Sequence, residues 1–240
     1  MNKLYLKSEL WFALFWIFLY VAGTSLAENI SVALGTEKSV TLLFHILLCA
    51  VMLFWLVKHG HTKTYGLCRP ALKAKNLLFY IPLLLIISVN LWFGVHFHLS
   101  PLESALAVGS MVCVGFLEEL IFRGFLFNAM RKDNLKAAVI VSSLTFGIGH
   151  IVNLFNGSGA TLLSNFCQIC YACAIGFLFV ILFLKTKSLW PCIITHSAVN
   201  GLSVFAAELS TTQQLCTASF LIIVPLLYAV YLIKKTPKIK

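Results

Sequence analysis

Acidic side chains are scarce in this chain: it has eight Asp and Glu in 240 residues, and charged residues of all types reach only 11%. A soluble globule of that length needs far more polar surface, whereas 60% of these residues are hydrophobic, Phe alone numbers 20, and mean hydropathy is +0.94. Proline is sparse too, at six. There is no internal repeat, low-complexity segment or interdomain linker, and the longest polar connection is about Lys58–Lys75. These absences exclude a soluble enzyme with appended modules. They leave a single integral membrane domain over residues 1–240, with the bilayer as its solvent.

What is present is a succession of apolar runs near Glu9–Ala27, Val40–Val57, Asn76–Val95, Leu102–Phe127, Ala137–Phe155, Thr161–Leu184, Leu189–Ala207 and Leu215–Ile233. Each reaches or approaches the ~20 residues that cross a ~30 Å hydrocarbon core. The expected fold is all-α, a polytopic bundle of about eight transmembrane helices. In the Lys58–Lys75 connection, Gly66–Pro70 reads as a turn that a short interfacial helix could follow.

Positive charge gives the bundle an orientation, because cytoplasmic connections carry excess Lys and Arg. Here Lys3 and Lys7, then Lys58, Lys63, Arg69, Lys73 and Lys75, then Arg131, Lys132 and Lys136, then Lys185 and Lys187, and finally Lys234, Lys235, Lys238 and Lys240 fall in alternate connections. Only Lys38, in an opposite loop, and Arg123, inside a run, depart from this pattern. Both termini are therefore expected in the cytoplasm of a plasma membrane, with a bacterial source favoured by the compact length. The net charge of +10 is spread over membrane-proximal loops, which fits topology and anionic lipid rather than a nucleic-acid partner.

The N-terminal run, followed by Ser25-Leu26-Ala27, imitates a cleaved signal peptide. Its length and its Trp11, Trp16 and Tyr20 instead suggest a retained span with interfacial aromatics. The eight cysteines lie mostly in apolar runs, where thiols pack as small hydrophobes. Cys167, Cys170 and Cys173 resemble part of an iron–sulfur pattern but have no fourth nearby Cys-Pro, and no paired loop cysteines suggest a disulfide framework.

Against this background the polar intrusions stand out: Glu118, Glu119 and Arg123 in one run, His150 in the next, and His196 and Asn200 in a later one. An ionisable group at membrane depth costs roughly 2.5–3.5 kcal/mol even on lenient insertion scales, so such groups are expected to face one another around a polar site. Glu119 and Arg123, Phe146 and His150, and His196 and Asn200 are each four apart, so each pair lies along one helix side. Neighbouring Glu118 and Glu119 differ by ~100° around an α-helix, so one should face the cavity while the other engages Arg123 or a neighbouring helix. The four-residue spacing gives Glu119 the ion pair and leaves Glu118 as the catalytic carboxylate. Helical rise puts the two glutamates roughly 12–14 Å and His196 and Asn200 roughly 10–17 Å from the cytoplasmic end. His150 falls nearer ~20 Å, which calls for tilt or a later helix start.

A carboxylate and an imidazole can share the deprotonation of water, and a second imidazole with an amide can donate to a developing oxyanion. Peptide hydrolysis needs both functions. Read singly, these residues have blander roles: Asn200 as interhelical glue, the glutamates as partners that neutralise Arg123, either histidine as a satisfied core residue. His45, His96 and His98 read as unremarkable, and Gly147, Gly149 and Gly201 as packing positions, with water access as a further use. Glu118, His150 and His196 could also supply three zinc ligands, although no His-Glu-x-x-His segment is present.

Glu118-Glu119-Leu-Ile-Phe-Arg123, Phe146-Gly-Ile-Gly-His150 and His196-Ser-Ala-Val-Asn200 match, in order, the Glu-Glu-x-x-x-Arg, Phe-x-x-x-His and His-x-x-x-Asn motifs of a known family. Over this third of its length the chain resembles the CAAX protease and bacteriocin-processing (Abi) family of intramembrane endopeptidases, with a core at about 102–207. The resemblance implies a glutamic mechanism without a cofactor. Glu118, helped by His150, would activate water; His196 with Asn200 would hold the oxyanion; Glu119, Arg123 and Phe146 would organise the site. It also implies a peptide or protein substrate, lipidated or not, and the depth reading expects it to arrive from the cytoplasmic side or laterally from lipid. The rival readings are a non-catalytic peptide-binding immunity or scaffold protein, and a proton-coupled transporter that uses Glu and His as a relay.

Overall fold

The computed structural model describes residues 1–71, 79–156 and 159–235. The described residues form ten α-helices: α1 Asn2–Lys7, α2 Glu9–Ala33, α3 Ser39–Lys58, α4 Ile81–Ser88, α5 Pro101–Glu118, α6 Phe127–Met130, α7 Leu135–Gly149, α8 Leu162–Thr186, α9 Trp190–Ser203 and α10 Thr211–Lys235. Three tighter or wider stretches join them: 3-10 turns at Val89–Leu91 and His150–Leu154, and a π-helical stretch at Glu119–Leu126 that makes α5 and α6 one continuous rod. No strand occurs among the described residues beyond an isolated antiparallel bridge between Val95 and Ala206.

Helix starts follow capping chemistry. Ser8 accepts from the Trp11 amide, Asn134 from Ala137 and Thr161 from Ser164, while Ser100 and Glu103 close a reciprocal capping box ahead of α5. Six helices are long and apolar enough to cross a membrane, and with them the chain is a multi-pass membrane protein. Phe18, Phe54, Leu43 and Leu162 point outward from them as only a lipid-facing surface tolerates.

The eight expected runs therefore appear as six long helices and two short ones. Ile81–Leu91 is short, and its expected beginning at 76–78, like the interfacial helix after Pro70, lies outside the described residues. Helix α9 stops at Ser203 instead of reaching Ala207. The chain there turns aside so that Phe205 O accepts from the His96 amide at 2.8 Å, beside the Val95–Ala206 bridge. At 14 residues α9 is about 21 Å long, too short for a ~30 Å core, and it is sheltered against α5 and α4.

Glycine permits the closest crossings. A Cβ on Gly115 would lie 2.3 Å from Ser197 Oγ on α9, and one on Gly147 2.2 Å from Cys173 Sγ on α8. Gly149 corrects the sequence reading, because nothing lies within 4 Å of the corresponding position.

The two ends of the bundle are distinct. At one end, Leu189 donates its amide to Gly66 O at 2.8 Å, Ser188 Oγ to Cys68 O at 2.6 Å, and Lys132 pairs with Glu9 at 2.5 Å. These links bring the described Lys- and Arg-bearing connections together. At the other end are the α2–α3 turn, with Lys38 paired to Glu28, and the 95–206 bridge.

Candidate active site

The site is built where α5 changes pitch. Glu118 is the last α-helical residue; from Glu119 the backbone widens into π turns, and every residue of Glu119–Leu126 is buried. Side chains take up carbonyls of the wide turns: Asn128 donates to Gly124 O at 2.6 Å, and Ser142 of α7 to Phe122 O at 2.9 Å. Such π insertions are frequent at functional sites. Here the change of pitch falls between the two adjacent glutamates.

Glu119 points into protein. Its Oε1 lies 2.8 Å from His196 Nδ1 and 3.1 Å from Arg123 Nη1, and the side chains of Glu119 and Arg123 are both 0% exposed. The Arg123 pairing is one of charge, since its nitrogens are not aligned for hydrogen bonds. The guanidinium lies instead 3.9 Å from the Phe146 ring centroid, with Phe179 at 5.6 Å. Phe146 also meets His150 and His196 edge-on, with centroids 5.3 and 5.7 Å apart.

Glu118 is largely buried but lines a cavity. Tyr20 of α2 donates its hydroxyl to Glu118 Oε1 at 2.7 Å, and Oε2 has no hydrogen-bond partner among the described residues, with His196 Nε2 3.6 Å away. Glu118, His150 and Asn200 line one cavity of about 370 Å³, and His150, His196 and Asn200 line an adjoining one of about 200 Å³. A carboxylate can only accept, so Glu119 fixes a proton on His196 Nδ1 and turns Nε2 toward Glu118. The same logic applies to His150, whose Nδ1 lies 3.0 Å from Phe146 O. A carbonyl only accepts, so Nδ1 carries the proton and Nε2 keeps its lone pair. Asn165 of α8 anchors the His150 backbone by donating to its carbonyl at 2.7 Å.

A later helix start does not account for the depth of His150. Helix α7 begins at Leu135, leaving His150 about 22 Å along it. There the chain tightens into 3-10 turns, and His150 still shares the cavity of Glu118.

Two features lay outside the sequence reading. Tyr20, taken there as an interfacial aromatic, is buried and holds Glu118; the span that imitates a leader thus supplies part of the site. His45 is buried between Thr24 Oγ1 and Ser110 Oγ, 3.0 Å from each, and lines the same cavity as Glu118. Neither carries a local sequence signal, since the Tyr20 contact spans 98 positions.

Among the described residues no three His, Cys, Asp or Glu side chains are spaced to hold a metal ion. Cys167, Cys170 and Cys173 are all free thiols.

These elements define a multi-pass helical membrane protein with a carboxylate and imidazoles around an internal cavity. Residues 100–202, which hold all three motifs, match the family described as type II CAAX prenyl endopeptidase, Rce1-like. Over this segment the chain is similar to that family, and the match supports an intramembrane CAAX-type protease acting on a peptide or protein in the membrane. No curated protein and no solved structure matches the chain.

Proposed function

We propose that the chain is a glutamic intramembrane endopeptidase that needs no metal. Glu118 and His150 Nε2 together take a proton from a cavity water, and the water oxygen attacks the carbonyl carbon of the scissile peptide bond. The carbonyl oxygen becomes an oxyanion, held by N–H donors from His196 Nε2 in its protonated form and from the Asn200 amide. Collapse of the tetrahedral intermediate breaks the C–N bond, and the proton taken from water passes to the leaving amine. Glu119, bound to His196 Nδ1, keeps the imidazolium oriented; Arg123 and Phe146 hold Glu119 and both histidines in register.

One observation carries this reading: Glu118 has one oxygen held by Tyr20 and the other without a hydrogen-bond partner in a cavity that His150 and Asn200 share. The test is cleavage of quenched fluorescent peptides by purified protein in detergent. Wild type should cleave and Glu118→Gln should not, and cleavage should persist after exhaustive metal chelation. Full activity in Glu118→Gln would refute the mechanism, and activity restored only by zinc would replace it with a metal one. Tight peptide binding without hydrolysis by wild type would favour the peptide-binding reading.

A further inference from the structure

The cavity has a direction. Along α2 its wall runs from Tyr20 through Thr24 to Glu28, and along α3 from His45 through Thr41 to Lys38, both toward the α2–α3 turn. On α5 it climbs from Glu118 through Val114 to Ser110, toward the helix start. After α7 it continues from His150 to Asn153 and Asn156, and at the end of α9 from Asn200 to Ser203. All five walls leave Glu118 in the same sense, away from the Lys- and Arg-bearing connections, none of whose described residues line this cavity.

At the basic end the described residues include a cluster of packed rings. Phe125 packs against Phe12 and Tyr65 with ring centroids 5.1 and 4.9 Å apart, and Tyr5 caps Trp55 at 4.9 Å. The Glu119–Arg123 pair, against Phe146, is fully buried. Among the described residues the larger cavity gives water and peptide a built path to Glu118 from the end opposite the basic connections, and a smaller one lined by Val21, Phe122, Gly149 and Val152 reaches it between α2 and α7.

We propose that the site takes its peptide from the non-cytoplasmic side of the membrane. The proposal rests on the protease reading above and on Lys and Arg marking the cytoplasmic end. The wall beyond Glu118 is mostly hydroxyl and amide, its one cation, Lys38, being neutralised by Glu28. Such a wall suits the alternating donors and acceptors of an extended backbone and selects against strongly charged side chains. The substrate class is therefore an uncharged peptide stretch presented at the outer surface, either on a translocated peptide or on the outer end of a membrane-anchored protein. A lipidated C-terminus on the cytoplasmic leaflet would meet the end where Phe12, Tyr65 and Phe125 pack together.

Full-length protein with a C-terminal tag, reconstituted in vesicles and sorted by tag accessibility, tests this. A membrane-impermeant quenched peptide is added outside. Cleavage is expected only where the tag faces inward, because α10 brings the C-terminal lysines to the basic end. Cleavage confined to tag-outward vesicles, or equal in both, overturns the inference and leaves the protease reading intact. Cleavage in detergent but in neither vesicle population also overturns it, since the peptide would then need a route through lipid. If even detergent-solubilised wild type fails to cleave, the protease reading is what fails. The mouth is then judged by labelling Ser203→Cys against the wild-type background with an impermeant maleimide. Modification from the side opposite the tag upholds its position, and modification from the tag side overturns it. In intact cells added protease should spare the tag; its removal would reverse the assigned side.

Discussion

The two ends of this bundle are made of opposite materials. One gathers Lys and Arg around the tilted and edge-on rings of Phe12, Trp55, Tyr65 and Phe125, while the other is lined by Thr24, Thr41, Asn153 and Ser203 and reaches inward to Glu118. Charge collects at the first end; mostly uncharged polar side chains line the cavity at the second. Most of the charge that composition reports therefore has nothing to do with the chemistry. The ends meet at the step from α to π geometry, where Glu118 belongs to the wet side and Glu119 to the dry one. Two identical side chains, adjacent in sequence, are thereby given different work by their surroundings.

The largest effect that would sharpen this contrast is at Glu118. Glu118→Gln keeps an oxygen for the Tyr20 hydroxyl but loses the base, so peptide turnover should fall by about 10²–10⁴-fold with little change in unfolding temperature. Next is Glu119→Gln, which strips a buried guanidinium of its anion and His196 of its anchor. Breaking a buried pair costs about 3–5 kcal/mol, so chemical unfolding in micelles should show a loss of that size. Adding Arg123→Met should recover much of the stability but none of the activity, because His196 would still lack its carboxylate. Recovery of both would mean that Glu119 serves only to neutralise Arg123.

A smaller loss, about 1–3 kcal/mol, is expected where helices cross closely. Gly147→Ala would drive a methyl into Cys173, whereas Gly149→Ala enters open space and should be nearly neutral. Equal effects on thermal unfolding would show that α7 and α8 do not pack as described.

The fold class and the three polar motifs were legible because each depends on local spacing: apolar runs of membrane length, and pairs four residues apart on one helix. Glu119 opposite Arg123 followed from that spacing too. The second partner of Glu119, His196, did not, because it arrives from α9, 77 positions away. The π stretch was invisible for a related reason: its carbonyls are taken by Asn128 and Ser142, so tertiary contacts, not propensity, sustain the wider turn. The shortness of α9 was hidden because residues 204–207 are apolar enough to continue a span, and only the bridge to Val95 ends it. The direction of the cavity did not follow from depth alone. Counting residues along a helix gives height, but which way the cavity runs depends on side chains brought together from α2, α3, α5, α7 and α9.

The smallest effects make the cleanest crossed test of the two ends. Tyr20→Phe removes one hydrogen bond to a carboxylate, an interaction worth about 1.5–3 kcal/mol. If Tyr20 fixes the reactive carboxylate, kcat/KM should drop about tenfold or somewhat more, while stability should barely change because cavity water can replace the hydroxyl. At the opposite end, Phe125→Leu keeps an apolar side chain in the ring cluster and should cost less than about 1.5 kcal/mol of stability, with specific activity per folded molecule unchanged. The pair separates chemistry from architecture by position alone. Should Phe125→Leu depress kcat as much as Tyr20→Phe does, the ring cluster would be coupled to the site through Glu119 and Arg123, and the two ends would have to be treated as one machine.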